Sequence, residues 1–257
     1  MQGARNRFAA FLLEIGRPGV TFGKLTPLLI EDFIDYLQSN SRGEGALSYY
    51  NRFKKMIKQA YRQQVIKVNV LDLVERKVKG KAKKKDTLTI DEIRTLGATP
   101  IENATIRRAA LFSTVTGLAF CDVKTLQWKN IKLQTKKLEI VREKGKDDNN
   151  TVSIPLNATA IKLLGDAGKP GVNVFELPTA NGCNKTLKAW VRRAGIDKKI
   201  TWHNLRHSYG TNLIFNDVDL LTASKLLGHT STKHTGRYVK ASEEMKQTAT
   251  DKLNFDL

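Results

Sequence analysis

Cysteine, acidic residues and long apolar runs are all scarce in this chain. Of its 257 residues only Cys121 and Cys183 are cysteines. Two isolated thiols form no ligand pattern and no disulfide framework, so they read as small core residues of a protein kept in a reducing compartment, the cytoplasm. No apolar run approaches the roughly eighteen residues that a membrane-spanning helix needs. The opening Met1-Gln2-Gly3-Ala4-Arg5 lacks the apolar core of a signal peptide, and no amphipathic anchor or lipidation signal is present. Repeats and low-complexity segments are absent, apart from one lysine-rich stretch. An apolar content of 40% excludes a wholly disordered chain.

The shortage of acid is the strongest bulk signal. Asp and Glu number 25 against 44 Lys and Arg, a formal net charge of +19, with a pI near 9.9. Residues 1–85 hold 18 basic and 7 acidic side chains, +11, and residues 86–257 hold 26 and 18, +8. A polyanion is the expected partner, nucleic acid before an acidic membrane. Charge by itself does not separate DNA from RNA.

The first third reads as helical. Phe8, Phe11, Leu12 and Ile15 recur at helical spacing. Thr26 before Pro27 is an N-cap and first-turn pair, followed by an apolar stripe of Leu28, Leu29, Phe33 and Leu37. Over residues 46–64, Tyr49, Phe53, Met56, Ile57 and Ala60 share one arc, with Arg52, Lys55, Lys58 and Arg62 opposite. That basic arc is either a solvated face or a surface that tracks phosphates; the local excess of charge favours the second. Residues 76–85 hold six Lys and one Arg with no apolar period. They read as a linker lying along nucleic acid, with Lys79, Lys81, Lys83, Lys84 and Lys85 as its contacts.

Thr89-Ile90-Asp91-Glu92 is a capping box that opens a new helix, which puts a domain boundary near residue 86. The division expected is a helical domain over 1–76, a basic linker over 77–88 and a second domain over 89–257. The second domain starts with helices over roughly 89–97, 102–116 and 120–127. Alternation follows at Ile131 and Leu133, at Leu138 and Ile140, and at Val152, Ile154 and Leu156, with a polar hairpin connection over 144–150. From 157 onward the pattern is helical again. The expected fold is mainly α with one small antiparallel β-sheet.

All four histidines lie in the last quarter of the chain, beside other groups that handle phosphate. The order is His203-Asn204-Leu205-Arg206-His207-Ser208, then Leu226-Leu227-Gly228-His229, then Tyr238 nine residues later. Upstream stand Thr116-Gly117-Leu118, then Asp122-Val123, Leu126 and Trp128, with a lysine in the hairpin. Two imidazoles, a guanidinium and a phenol can supply most of a phosphoryl-transfer site without a metal or other cofactor. Each motif also has a plainer reading. Tyr238 taken alone is a core aromatic, hairpin lysines commonly face solvent, and His234 is a surface residue. His203 and His207 at i and i+4 could hold zinc, but a metalloprotease needs glutamate where Asn204 stands.

In this order the motifs resemble the tyrosine recombinases of the phage-integrase family, with core-binding and catalytic domains matched over roughly residues 5–245. The resemblance implies a two-domain clamp on duplex DNA. It implies a strand transferase in which Tyr238 attacks the scissile phosphate, leaving a 3′-phosphotyrosine and a free 5′-hydroxyl, with strand exchange through a Holliday junction and no ATP. Arg206 would grip a non-bridging oxygen through its fork. His203, one turn away on the same face, would donate to the phosphate or take the tyrosine proton. His229, after the helix-ending Gly228, would point at the phosphate, and Lys144, in competition with Lys146, would protonate the leaving oxygen. His207 and Asp122 would be supporting residues. Partners implied are double-stranded DNA, further copies of the chain in a homotetramer formed on DNA from free monomers, and accessory DNA-bending proteins; the setting is a prokaryotic cytoplasm, on the nucleoid. The C-terminal segment, with Met245, Leu253, Phe255 and Leu257, would dock on a neighbouring protomer. A chain that begins at the core-binding helices is expected to lack an arm-binding domain or to be a fragment.

One position departs from the pattern: the family's arginine after Thr-Gly-Leu is here Ala119. Losing one preorganised charge donor costs about 10²–10³ in rate. Leu138, Ile140, Arg142 and Lys144 share one strand parity, so Arg142 points with the hairpin lysine and is the hypothesised substitute. Alternatively Arg142 pairs with an acidic neighbour or a remote phosphate. Arg107 and Arg108 are weaker rivals, and Asp122 would hold Arg142 or Arg206. The rival functions are a catalytically silent DNA-binding relative, made plausible by Ala119, and a type IB topoisomerase-like enzyme that nicks and reseals.

Overall fold

A computed structural model describes residues 2–78, 85–141, 151–228 and Gly236. The chain divides into two compact units, Met1–Lys84 and Lys85–Leu257.

Among its described residues the first unit has three α-helices, α1 (Gln2–Glu14), α2 (Pro27–Ser39) and α3 (Gly45–Arg62). Thr26 caps α2, its Oγ1 accepting from the Leu29 amide at 3.2 Å, and Pro27 takes the first turn, where a missing N–H costs nothing. The core is aromatic. Phe8 of α1, Phe33 of α2 and Phe53 of α3 meet with ring centroids 4.8–5.1 Å apart, within the range where edge-to-face and tilted pairs are favourable. Leu29, Ile30, Phe33, Ile34 and Leu37 are buried, whereas Leu28 is 68% exposed. The stripe is therefore turned by about one residue from the one expected. Likewise Tyr50, not Tyr49, is fully buried on α3. Arg76 closes the unit by pairing with Asp35 of α2.

The second unit contains α4 (Ile90–Ala98), α5 (Ala104–Thr116), α6 (Phe120–Lys124), strands β1 (Ile131–Lys132), β2 (Lys137–Val141) and β3 (Thr151–Pro155), then α7 (Ala158–Leu164), α8 (Ala180–Arg193), α9 (Trp202–Phe215) and α10 (Leu220–Leu226). The capping box at Thr89 and Glu92 is formed in full. Helix α5 is buried along most of its length, polar Ser113, Thr114 and Thr116 included, and it packs against α4, α7, α8 and α9. The sheet order is β1-β2-β3, antiparallel throughout, with Leu138 opposite both Ile131 and Ile154. Leu138 and Ile140 face the core. Leu133, expected inside, lies beyond β1 and is 44% exposed. Among the described residues no helix is long and apolar enough to cross a membrane.

Cys183 is fully buried, as a small core thiol should be, but Cys121 is exposed. Cys121 sits in the first turn of α6 with its Sγ 3.7 Å from Asp122 Oδ1, so it faces away from the core. Cys121 is therefore not the small core residue that its isolation in the sequence suggests.

Candidate active site

Arg206 is 8% exposed in the middle of α9. A buried guanidinium requires acceptors, and two helix ends supply them. Nη1 donates to the Gly117 carbonyl at 2.7 Å and Nη2 donates to the Leu227 carbonyl. These oxygens stand at the C-terminal caps of α5 and α10, where the backbone carries partial negative charge. The two contacts fix the plane and direction of the fork. Gly117 can occupy its place because it has no side chain: φ is +69°, and a Cβ there would lie 2.4 Å from Tyr209 Cδ1. Burial pushes the Tyr209 phenol above its ordinary value. This tyrosine is thus a packing residue, harder to ionise than a solvated phenol.

One turn before Arg206, His203 is exposed on α9. His207, one turn after His203, is buried, and the two rings meet edge to face with centroids 4.3 Å apart. Lys85 Nζ lies 3.3 Å from His207 Nε2. A zinc ion at this pair would have to compete with that ammonium for the ring nitrogen's lone pair.

Lys85 belongs to a strap laid along α9. The Asn204 amide nitrogen donates to the Asp86 carbonyl at 2.8 Å, and the Leu88 amide donates to Ser208 Oγ at 2.8 Å. Asn212 donates to the Leu88 carbonyl at 3.1 Å. Just ahead of α9, Lys198 Nζ donates to the Thr87 carbonyl at 2.8 Å and to Glu92 Oε2 at 2.6 Å, and the Lys199 amide donates to Asp86 Oδ2 at 2.9 Å. Residues 85–88, expected to belong to the basic linker, are therefore part of the second unit. The run of lysines concealed this, because composition does not distinguish a solvated segment from one fastened through its backbone.

Ala119 is the N-cap of α6, with its amide 3.4 Å from Asp122 Oδ2. The two rival arginines are committed to other tasks. Arg108 donates from Nε to the Leu163 carbonyl at 3.0 Å and from Nη2 to the Leu164 carbonyl, with its guanidinium over the Phe175 ring. It closes the C-terminal end of α7. Arg107 donates to the Gly97 carbonyl.

Gly228, after α10, has φ +59°, the left-handed geometry that ends a helix. His229, His234, Tyr238, Arg142, Lys144, Lys146, Lys79, Lys81, Lys83, Lys84 and the expected C-terminal docking segment lie outside the described residues. In the first unit Arg52, Lys55, Lys58 and Arg62 are all exposed on one side of α3. The sequence singled out Arg206 and its neighbours. It carried no signal for the Gly117 and Leu227 carbonyls, and it read Lys85 as a nucleic-acid contact rather than as a neighbour of His207.

Residues 86–245 match the phage integrase family, and residues 1–88 match the phage integrase SAM-like domain. A tyrosine recombinase of Thermosipho africanus is 32% identical over 177 residues, 65% of this chain and 62% of that protein. Tyrosine recombinase XerD of Lacticaseibacillus casei is 29% identical over 177 residues, 62% of this chain and 59% of its own length. The matched stretch thus spans about six-tenths of these relatives. In three dimensions the Tn1549 transposon integrase, in complex with a circular intermediate DNA, superposes with a TM-score of 0.74 at 15% identity, covering 98% of this chain and 93% of that one. A lambda integrase dimer bound to a core site gives a TM-score of 0.68 at 18% identity, covering 93% and 88%.

Proposed function

The chain belongs to the phage integrase family, and on that premise we propose that it is a site-specific DNA strand transferase, promoting integration or excision of a mobile element. Tyr238 attacks the scissile phosphate; the Tyr238 oxygen–phosphorus bond forms and the bond from phosphorus to the 5′ oxygen breaks. The tyrosine proton passes to His203, and the leaving 5′ oxygen takes a proton from Lys144. Arg206 and His229 hold the non-bridging oxygens, and Arg142 stands in for the arginine absent at Ala119. The phosphotyrosine keeps the energy of the broken bond, so a second 5′-hydroxyl reverses the step on another strand without ATP. The exposed face of α3 and the lysines up to Lys84 track the DNA backbone. Cleavage takes place in a homotetramer on DNA, with accessory bending proteins, in the cytoplasm.

The observation that supports this reading best is the setting of Arg206. A guanidinium oriented by two helix ends, one turn from an exposed imidazole, is preorganised to receive a tetrahedral oxyanion. The experiment is a nicked duplex carrying the target site, on which the released fragment diffuses away and traps the covalent adduct. Strand transfer between two duplexes then separates recombination from nicking and closing.

Ala119 favours a second reading, a DNA-binding relative that does not cleave. It predicts specific DNA binding with no adduct under any condition.

A further inference from the structure

We propose that Lys85 is a positioning residue for strand cleavage, acting on His203 through His207. The inference rests on the functional reading above for its catalytic half only. Lys85 Nζ lies 3.3 Å from His207 Nε2. An ammonium has donors and no acceptor, so the nitrogen facing it presents a lone pair, and the ring proton is on Nδ1. His207 is thereby held neutral and in one tautomer. Its ring lies edge to face against His203 at 4.3 Å between centroids. Two imidazolium rings at that distance would repel each other. A neutral His207 adds no second positive charge beside the exposed His203 when that ring carries a proton at the phosphate, and a ring fixed on one side limits the orientations His203 can take.

The neighbouring bonds keep Lys85 in place. Asp86 is held by Asn204 and by the Lys199 amide, and Leu88 by Ser208 and Asn212. The ammonium is therefore delivered to His207 by backbone that is already fastened to α9, and its orientation is set before DNA arrives. The next five residues upstream, Gly80 to Lys84, include three lysines.

The test uses the full chain with ring-15N-labelled histidine; four histidines give four side-chain signal sets, assigned by single substitution. The wild-type chain is expected to show His207 neutral, protonated at Nδ1 and bare at Nε2. Lys85→Met should shift His207 to mixed tautomers, leave the melting temperature and the DNA affinity within about twofold, and slow adduct formation by about 10²-fold, the scale of a misplaced catalytic group. Lys85→Arg, which keeps a cationic donor, should restore most of both signals. A His207 protonated at Nε2 in the wild type, or one unchanged by Lys85→Met, overturns the proposal. So does a Lys85→Met chain that loses DNA affinity while keeping its cleavage rate on bound DNA, since Lys85 would then be a phosphate contact. Failure of the wild-type chain to form any adduct removes the functional reading and the catalytic half with it; the His207 tautomer still decides the Lys85 contact independently.

Discussion

The Gly117 carbonyl accepts from Arg206 Nη1 at 2.7 Å, across 89 positions of sequence. One residue thus ends α5, makes room for the Tyr209 ring and orients the guanidinium, and only glycine meets all three demands. Gly117→Ala should destabilise the second unit by about 2–4 kcal/mol, combining left-handed backbone strain with overpacking against Tyr209. Urea unfolding checks the value. Adding Tyr209→Ala should relieve the overpacking and leave the backbone strain.

Arg206 is structural as well as chemical. Arg206→Ala strips two buried carbonyls of their donor, at about 1–3 kcal/mol each, and Arg206→Lys keeps the charge without the fork. Both should lower adduct formation by at least about 10²-fold, but only the alanine variant should also show a large drop in unfolding midpoint. Equal loss of stability in the two would mean that the fork geometry contributes nothing to the fold.

Arg108 and Arg142 should behave in opposite ways. Arg108→Met removes the cap of α7 and should cost stability while leaving cleavage near wild type at low temperature. Arg142→Ala should cost about 10²–10³ in cleavage with little change in stability, and Ala119→Arg should recover part of that loss. Wild-type cleavage in both Arg142→Ala and Arg142→Lys would remove Arg142 from the site.

The strap also titrates. Burial acts to raise the Glu92 carboxyl, but the hydrogen bond from Lys198 and those from Thr89 prevail and hold it below its ordinary 4.5. A carboxyl whose folded value is depressed contributes stability that is fully present above 4.5 and is lost as pH falls through the folded value. The stability gap between wild type and Glu92→Gln should therefore be constant near neutral pH and close on acidification, as read by urea unfolding across that range. A gap that widened toward acid would contradict the pairing with Lys198.

Much of this was legible in the sequence, and the reason differs by feature. Thr26 with Pro27, and Thr89 with Glu92, act on backbone within one turn, so their spacing alone reveals them. His203 and Arg206 share a helix face for the same reason. Leu28 was misplaced because a run of adjacent apolar residues, Leu28 to Ile30, does not fix the angle of a stripe; packing against Phe8 and Phe53 fixes it. The strap was invisible because its bonds are side chain to backbone over long separations and leave no periodicity. Lys85 looked like its neighbours in the lysine run, and only Asp86 and Leu88 anchored on α9 set it apart.

The central claim is that this chain uses a tyrosine to cleave DNA, and trapping the covalent complex tests it most directly. On a nicked suicide duplex the wild-type chain should form a protease-sensitive, denaturant-stable adduct to the 3′ end of the cleaved strand, and Tyr238→Phe should abolish it. An adduct that persists in Tyr238→Phe would show a different nucleophile, and specific DNA binding with no adduct from the wild-type chain would contradict the account.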